Sequence, residues 1–245
     1  QFCRHYRPMT GSLIILTGAG ISADSGLATF RDADGMWSKF NWQDLATPEA
    51  FALDPQQVHA FYNARRAQLS DVAPNDAHRA LAKLERDWMA AGGQFLLVTQ
   101  NVDDLHERSG SKNLIHMHGE LTKMRCVHCD YVDVAFEALS TDLPCLNCRR
   151  ADVLRPDIVW FGEMPMQMDM IMEALESCTL FAAIGTSGTV YPAAGFADLA
   201  RQAGARCVEI NLDATDISTG FDECLTGRAS DTVPNWVAGL CETTP

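Results

Sequence analysis

Short apolar runs of strand length recur along this chain, and longer segments with helix-like spacing separate them. Six runs rich in leucine, isoleucine, valine and phenylalanine have the profile of buried parallel strands: 12–17, 94–99, 113–118, 157–161, 180–186 and 206–212. Four segments have apolar residues three and four positions apart: 55–70, 76–91, 169–178 and 193–204. Alternating strands and helices predict an α/β fold with a doubly wound parallel sheet. Ligands are then expected beyond the carboxyl ends of the strands.

Size and charge exclude several classes of protein. A chain of 245 residues that is 47% hydrophobic and 21% charged can bury a full core, so it is not disordered or fibrous. No apolar stretch approaches the roughly 18 residues of a membrane-spanning helix, and we expect no membrane partner. The formal charge of -13 would repel a nucleic-acid backbone, whereas it would attract a basic peptide.

Nine cysteines form an odd set, so they cannot all pair as disulfides. Cys126 and Cys129, then Cys145 and Cys148, form two C-x-x-C pairs with fifteen residues between them. This spacing predicts a tetrahedral zinc site, and four thiolates leave no open position for catalysis. We therefore expect one structural Zn²⁺ per chain. Zinc with free thiols, and no signal-like apolar stretch at the start, favours the reducing cytoplasm.

The sequence GAGISA at 18–23 follows the first strand and matches the G-x-G-x-x-A fingerprint of dinucleotide sites. Its glycines are expected to let the backbone approach a pyrophosphate at a helix N-terminus. A second strand ending in an acid should follow about 20 residues later. A polar loop at 28–41 stands there instead. The dinucleotide is therefore expected to be held differently, and not necessarily for hydride transfer.

Polar residues follow several of the predicted strands. Gln100, Asn101 and Asp103 come directly after one strand, where amides and a carboxylate can bind sugar hydroxyls. The alternative is that Asn101 only caps a helix at 102–108. His118 ends another strand and is a candidate general base. Thr186, Ser187 and Asn211 end two more strands, so polar groups converge on one edge.

Seven motifs occur in one order along nearly the whole chain: GAGISADSGLATFRD at 18–32, TQNVDDLHERSG at 99–110, HMHGEL at 116–121, the paired C-x-x-C, FGE at 161–163, GTS at 185–187 and NLD at 211–213. In this order they resemble the sirtuin family. The resemblance implies a Rossmann-like domain, discontinuous over 9–119 and 155–241, with a small zinc-binding module at 120–154. Part of the segment 40–75 is expected to pack beside that module.

The resemblance implies that NAD is consumed as acyl groups are removed from lysine side chains. Gly18, Ala19 and Gly20 would hold the pyrophosphate, and Ser22, Phe30 and Arg31 would close over the cofactor. Trp37 would also bind the cofactor. The other implied NAD-binding residues follow later strands: Gln100, Asn101, Val102, Asp103, Gly185, Thr186, Ser187, Asn211, Leu212, Asp213 and Ala229. The acylated peptide would lie along Val159, Phe161, Gly162, Glu163 and Val190.

In the family mechanism the acyl oxygen attacks the nicotinamide ribose and expels nicotinamide. Asn101 and His118 would be catalytic, with His118 deprotonating a ribose hydroxyl. The products implied are free lysine and 2'-O-acyl-ADP-ribose. The sequence departs from the usual sirtuin motifs at two positions. Val102 stands where isoleucine is usual, and Asp24 stands where glutamate is common. Neither change removes a required chemical group.

Tyr62 and Arg65 lie one helical turn apart and present a phenol and a guanidinium on one face. Together these groups match a carboxylate. In this Tyr-x-x-Arg pair the chain resembles sirtuins that remove succinyl and malonyl groups. The resemblance implies that acetyl groups can also enter the acyl pocket. The alternative is a solvated helix face on which Arg65 and Arg66 are ordinary surface charges.

Two other functions use the same features. An ADP-ribosyltransferase would share the NAD site but transfer the sugar to a protein group. A catalytically silent NAD-sensing or zinc-ribbon module would bind without turnover. The expected partners are acylated-lysine proteins, with no nucleic acid and no membrane, and a monomer is favoured.

Overall fold

The computed structural model describes residues 10–28, 45–135, 137–215 and 217–241. Within these ranges, no helix has both the length and the apolar character needed to cross a membrane. The described residues form the α-helices α1 (Pro48–Leu53), α2 (Pro55–Gln68), α3 (Asp76–Ala90), α4 (Leu105–Ser109), α5 (Met168–Glu176), α6 (Phe196–Gln202) and α7 (Ala229–Cys241). They also form the strands β1 (Ser12–Thr17), β2 (Gln94–Thr99), β3 (Leu114–His116), β4 (Gly119–Cys126), β5 (Val132–Val134), β6 (Leu154–Ile158), β7 (Leu180–Ile184), β8 (Arg206–Asn211) and β9 (Glu223–Thr226).

Six strands form one parallel sheet in the order β3-β2-β1-β7-β8-β9. Counted along the chain within this sheet, the order is 3-2-1-4-5-6, which is the Rossmann order. The strand order reverses between β1 and β7, so their carboxyl ends open a crevice where ligands bind in such sheets. The prediction of a Rossmann-like doubly wound sheet is confirmed.

Alternate residues of β1 enter two separate cores, as a strand buried on both faces requires. Leu13 and Ile15 pack with α3 and α7, while Ile14 and Leu16 pack with α5 and α6. Helices therefore cover both faces of the sheet. This burial holds the carboxyl ends of the strands rigidly beneath the loops that carry the polar residues.

A second, antiparallel sheet has the order β5-β4-β6. The interpretation of 157–161 as a parallel strand of the main sheet is wrong, because β6 spans Leu154–Ile158 and pairs with β4. The apolar run at 157–161 resembles a strand of the main sheet because α1 and α2 cover the small sheet. This cover makes β6 as buried as a strand of the main sheet.

The fingerprint after β1 leads into two short 3-10 helices, Ala19–Ile21 and Ala23–Ser25, and not into the expected α-helix. Gly26 ends the second of them with φ +95°, a conformation open to glycine. The apolar periodicity predicts neither β9 nor α7. Gly204, predicted to end the helix at 193–204, follows α6 with φ +88°, as expected for a glycine after a helix.

Candidate functional site

A cleft of about 860 Å³ opens above the carboxyl ends of β1 and β7. All the sequence-predicted NAD, acyl and peptide residues within the described ranges line it. Phe30, Arg31 and Trp37 lie outside the described residues. A volume of this size is in the range of cofactor sites, and the position is the one expected for this sheet.

The glycines of the fingerprint allow two loops to touch. A Cβ on Gly20 would lie 2.7 Å from Gly185 Cα, and one on Gly185 would lie 2.4 Å from the amide nitrogen of Ile21. Gly18 and Gly20 also donate their N–H groups to the carbonyls of Ile184 and Gly185. These glycines therefore serve loop packing, beyond the expected approach to a phosphate. Of the three predicted pyrophosphate residues, only Ala19 has an N–H with no partner in the described ranges.

Ser22 lies at the centre of a buried network on the cleft floor. Its hydroxyl donates to Asp103 Oδ2 at 3.1 Å and accepts from Asn101 Nδ2 at 3.1 Å. Asp103 also accepts from the amide of Leu105, and its burial raises its pKa. The capping alternative for Asn101 is wrong, because α4 begins at Leu105 and the Asn101 side chain donates to Ser22.

Thr186 joins the loops that follow three strands. Its hydroxyl accepts from Gln100 Nε2 at 2.9 Å, and its carbonyl accepts from Asn211 Nδ2 at 2.7 Å. Side chains after β2, β7 and β8 are thereby held at fixed spacing along the cleft. The convergence of polar groups predicted from the strand ends is observed here.

The imidazole of His118 lies in the cleft with Nδ1 3.1 Å from the carbonyl oxygen of Gln100. A carbonyl can only accept, so Nδ1 carries the proton and Nε2 is the basic atom. Burial lowers the pKa of His118, although the bond to Gln100 partly opposes this effect. The ring is therefore neutral at physiological pH and able to take a proton.

The neighbouring His116 faces away from this chemistry. Its ring contacts the Asn101 carbonyl at 3.1 Å and Glu107 Oε1 at 2.6 Å. Burial lowers the pKa of His116, but the hydrogen bond and charge of Glu107 outweigh it and raise the pKa overall. The contact between His116 and Glu107 is therefore a structural one, and it favours the charged imidazole.

The two arginines of α2 have different surroundings. Arg65 lines the cleft beside Tyr62, and its Cζ lies 5.8 Å from the centroid of the Phe61 ring. Arg66 instead donates to the carbonyls of Leu121 and Glu137, which ties α2 to the small sheet. The alternative of a solvated helix face is therefore wrong for both.

Two charged residues at the cleft wall, Asp24 and Arg228, are not among the predicted site residues. Arg228 donates through Nε and Nη2 to Asp24 Oδ1, and Asp24 also accepts from the amide of Ser230. Burial raises the pKa of Asp24, but the hydrogen bonds and charge of its partners together outweigh this effect and lower the pKa overall. This contact ties the fingerprint loop to the start of α7, next to Ala229. Because 204 positions separate the partners, local pattern could not reveal the pair.

The four paired cysteines meet in one cluster. Sγ of Cys126 lies 3.8 Å from that of Cys148, and Sγ of Cys129 lies 3.7 Å from that of Cys145. Disulfide sulfurs would be about 2 Å apart. A tetrahedron with Zn–S bonds of about 2.3 Å has edges of about 3.8 Å. The cluster therefore fits a zinc ion, and all four ligand atoms lie within 4.8 Å of one another.

Comparison with known proteins agrees with this arrangement. The model of the Sir2 family matches residues 18–192. The chain belongs to the Sir2 family. The resemblance to sirtuins inferred from the ordered motifs is thereby confirmed.

Two curated relatives of this Sir2 chain carry the same name. The chain is 55% identical over 233 residues to the NAD-dependent protein deacylase of Bdellovibrio bacteriovorus, covering 94% of this chain and 97% of that one. The protein of the same name from Shewanella oneidensis is 54% identical, with 92% of each chain covered. The likeness therefore extends over nearly the full length of each protein.

Solved Sir2 structures have the same fold. A Sir2 homologue in complex with NAD is 39% identical with a TM-score of 0.85, covering 94% of this chain and 89% of that chain. A mutated Sir2 homologue in complex with 2'-O-acetyl ADP-ribose is also 39% identical, with a TM-score of 0.84 and coverage of 94% and 92%. The described cleft thus belongs to a fold in which NAD and an acylated ADP-ribose have been observed in other proteins.

Proposed function

We propose that this Sir2 chain is an NAD-dependent protein-lysine deacylase that accepts acetyl, succinyl and malonyl groups. Its products would be nicotinamide, free lysine and 2'-O-acyl-ADP-ribose. The observation that carries the proposal is the neutral His118 imidazole, held by Gln100 in the same cleft as Asn101, Asp103 and the glycine loop.

The cleft residues fit NAD. When bound, NAD supplies an electrophilic ribose carbon and nicotinamide as a leaving group. Ala19 would offer to the pyrophosphate its N–H, which bonds to no described residue, while Ser187, Asn211 and Ala229 would border the adenosine half. Asn101 and Asp103, oriented by Ser22, would hold the nicotinamide ribose. Because this network is buried, its polar groups are pre-oriented at little further cost.

His118 would act as the general base. Its Nδ1–H is engaged by the Gln100 carbonyl, so Nε2 is presented to the cleft in the correct tautomer. Burial lowers the pKa of His118, which keeps Nε2 unprotonated at neutral pH and available for a ribose hydroxyl proton. A protonated imidazole could not do this.

Tyr62 and Arg65 would read the acyl chain. Both line the cleft, and burial lowers the pKa of Arg65 while Tyr62 and Asp103 act in the opposite direction. A guanidinium stays charged even so. It would pair with the terminal carboxylate of a succinyl or malonyl chain, and an acetyl group would enter without this contact.

The zinc ion would be structural. Four thiolates fill a tetrahedral site and leave no position for substrate. We place this ion in a unit formed by 120–154, inserted between the two parts of the main domain. The free thiols of Cys178, Cys207 and Cys224 support a reducing, cytoplasmic location.

Mass spectrometry of the products tests the function. An acyl-lysine peptide with NAD should give free lysine and acyl-ADP-ribose, and His118→Ala should lose this activity. The exposed histidine of the zinc knuckle provides a control variant, His128→Ala, which should keep it. ADP-ribosylated protein without acyl-ADP-ribose would instead show the transferase, and NAD binding without products would show a silent module.

A further inference from the structure

Trp160 makes a buried hydrogen bond to the tyrosine of the proposed acyl-reading pair. Its indole Nε1 lies 3.0 Å from Tyr62 Oη, and the two residues are 2% and 1% exposed. The indole nitrogen can only donate, so Tyr62 Oη must accept this bond. The hydroxyl proton of Tyr62 therefore points in another direction.

The indole itself is held in place from its other side. Arg155 Cζ lies 3.4 Å from the centroid of the Trp160 ring, and Arg155 forms a bidentate pair with Glu163 at 2.7 and 2.8 Å. Glu163 also accepts from the backbone amide of Trp160 at 2.8 Å. Stacking and paired charges together leave the indole little freedom to turn.

The Tyr62 hydroxyl remains a donor under working conditions. Burial raises the pKa of Tyr62 to about 12, so the proton stays in place at neutral pH. No residue of the described ranges accepts it, although Tyr62 lines the cleft beside Arg65. An acceptor brought by a ligand would complete the bonding of this hydroxyl.

We propose that Trp160 is a positioning residue for acyl choice, whose indole N–H orients the Tyr62 hydroxyl to donate to one oxygen of an acyl carboxylate while Arg65 contacts the carboxylate. This inference rests on the proposed deacylase function and goes deeper into the same site. A neutral acetyl group lacks this carboxylate, so the contribution of Trp160 is confined to acidic acyl chains.

The test compares succinyl- and acetyl-lysine forms of one peptide. Trp160→Phe keeps an aromatic ring under Arg155 and removes the N–H. It should lower kcat/KM for the succinyl peptide about 5- to 10-fold, the effect of one neutral hydrogen bond, mainly through KM. The acetyl value should change less than about twofold on the same reasoning.

A double-mutant cycle separates positioning from general damage. In a Tyr62→Phe background, Trp160→Phe should cause no further loss in the succinyl-to-acetyl ratio, because the hydroxyl to be oriented is gone. The matched control is Trp88→Phe, which removes an indole bond to the Gly11 carbonyl (2.9 Å) outside the cleft. That variant should leave the ratio unchanged.

If Trp160→Phe fails to fold, benzothienylalanine at position 160 preserves the bicyclic shape and lacks the N–H, and the same ratio is measured. An unchanged ratio in either variant, or an equal loss in the Tyr62→Phe background, would overturn the role of Trp160 while leaving the deacylase function standing. A wild-type protein that releases lysine from neither peptide would overturn the proposed function itself.

Discussion

Replacing Arg65 by methionine removes a charge from the cleft while keeping an unbranched side chain. Arg65 lies against Phe61 and Tyr62, and burial lowers its pKa, so the guanidinium is partly desolvated. A carboxylate about 4 Å away would interact with it by about 4 kcal/mol at an effective dielectric constant of about 20. Desolvation of the incoming carboxylate reduces this to a net of about 2 to 3 kcal/mol.

That net energy corresponds to roughly 30- to 150-fold in kcat/KM for a succinyl peptide. Deacetylation should change far less, because an acetyl group has no carboxylate. The assay is steady-state turnover of acetyl- and succinyl-lysine versions of one peptide at saturating NAD. Added salt should reduce the wild-type preference only modestly, since the pair is shielded from solvent.

Arg79→Met is the matched control, because Arg79 is an exposed α3 arginine paired with Asp76 and does not line the cleft. It should leave both activities unchanged. Equal losses of deacetylation and desuccinylation in Arg65→Met would refute the reasoning, because they would show that Arg65 supports the cleft without reading the acyl chain.

Three further predictions concern the base, the metal and acid stability. Because burial lowers the pKa of His118, kcat/KM should stay high down to pH values below the usual histidine range and then fall; a loss already centred above that range would contradict a neutral base. Cys145→Ser should lose zinc, measured by inductively coupled plasma mass spectrometry, together with thermal stability; full zinc occupancy would contradict the four-thiolate site. Burial, with the charge of Arg79, lowers the pKa of His78 to about 4 in the folded chain. Between this pH and the ordinary pKa of histidine, the unfolded chain therefore binds a proton at His78 that the folded chain does not. The free energy of unfolding should therefore fall by about 3 kcal/mol through this group from pH 7 to pH 4. Urea titrations should show a shallower pH dependence in His78→Gln, and an unchanged slope would contradict the assignment.

Local sequence patterns predict the structure correctly where the interacting residues are close in sequence or repeat with a regular period. The two C-x-x-C pairs predict the metal cluster because each knuckle brings two sulfurs together by itself. The strands of the main sheet up to β8 are identifiable because burial on both faces requires continuous apolar runs. A continuous apolar run also led to the wrong assignment of β6 to the main sheet. Helices bury this strand of the small antiparallel sheet, so its sequence has the same apolar pattern as a buried parallel strand.

The amino-acid sequence alone determined the α/β class, the zinc quartet, the glycine fingerprint and the polar residues at the strand ends, because each is a property of neighbours along the chain. Only the tertiary structure decided that Arg65 faces the cleft while Arg66 ties α2 to the small sheet. It also decided that Trp160 meets Tyr62 across 98 positions. The physical reason is that adjacent side chains on a helix point about 100° apart, and which of them meets a ligand depends on what packs against the helix.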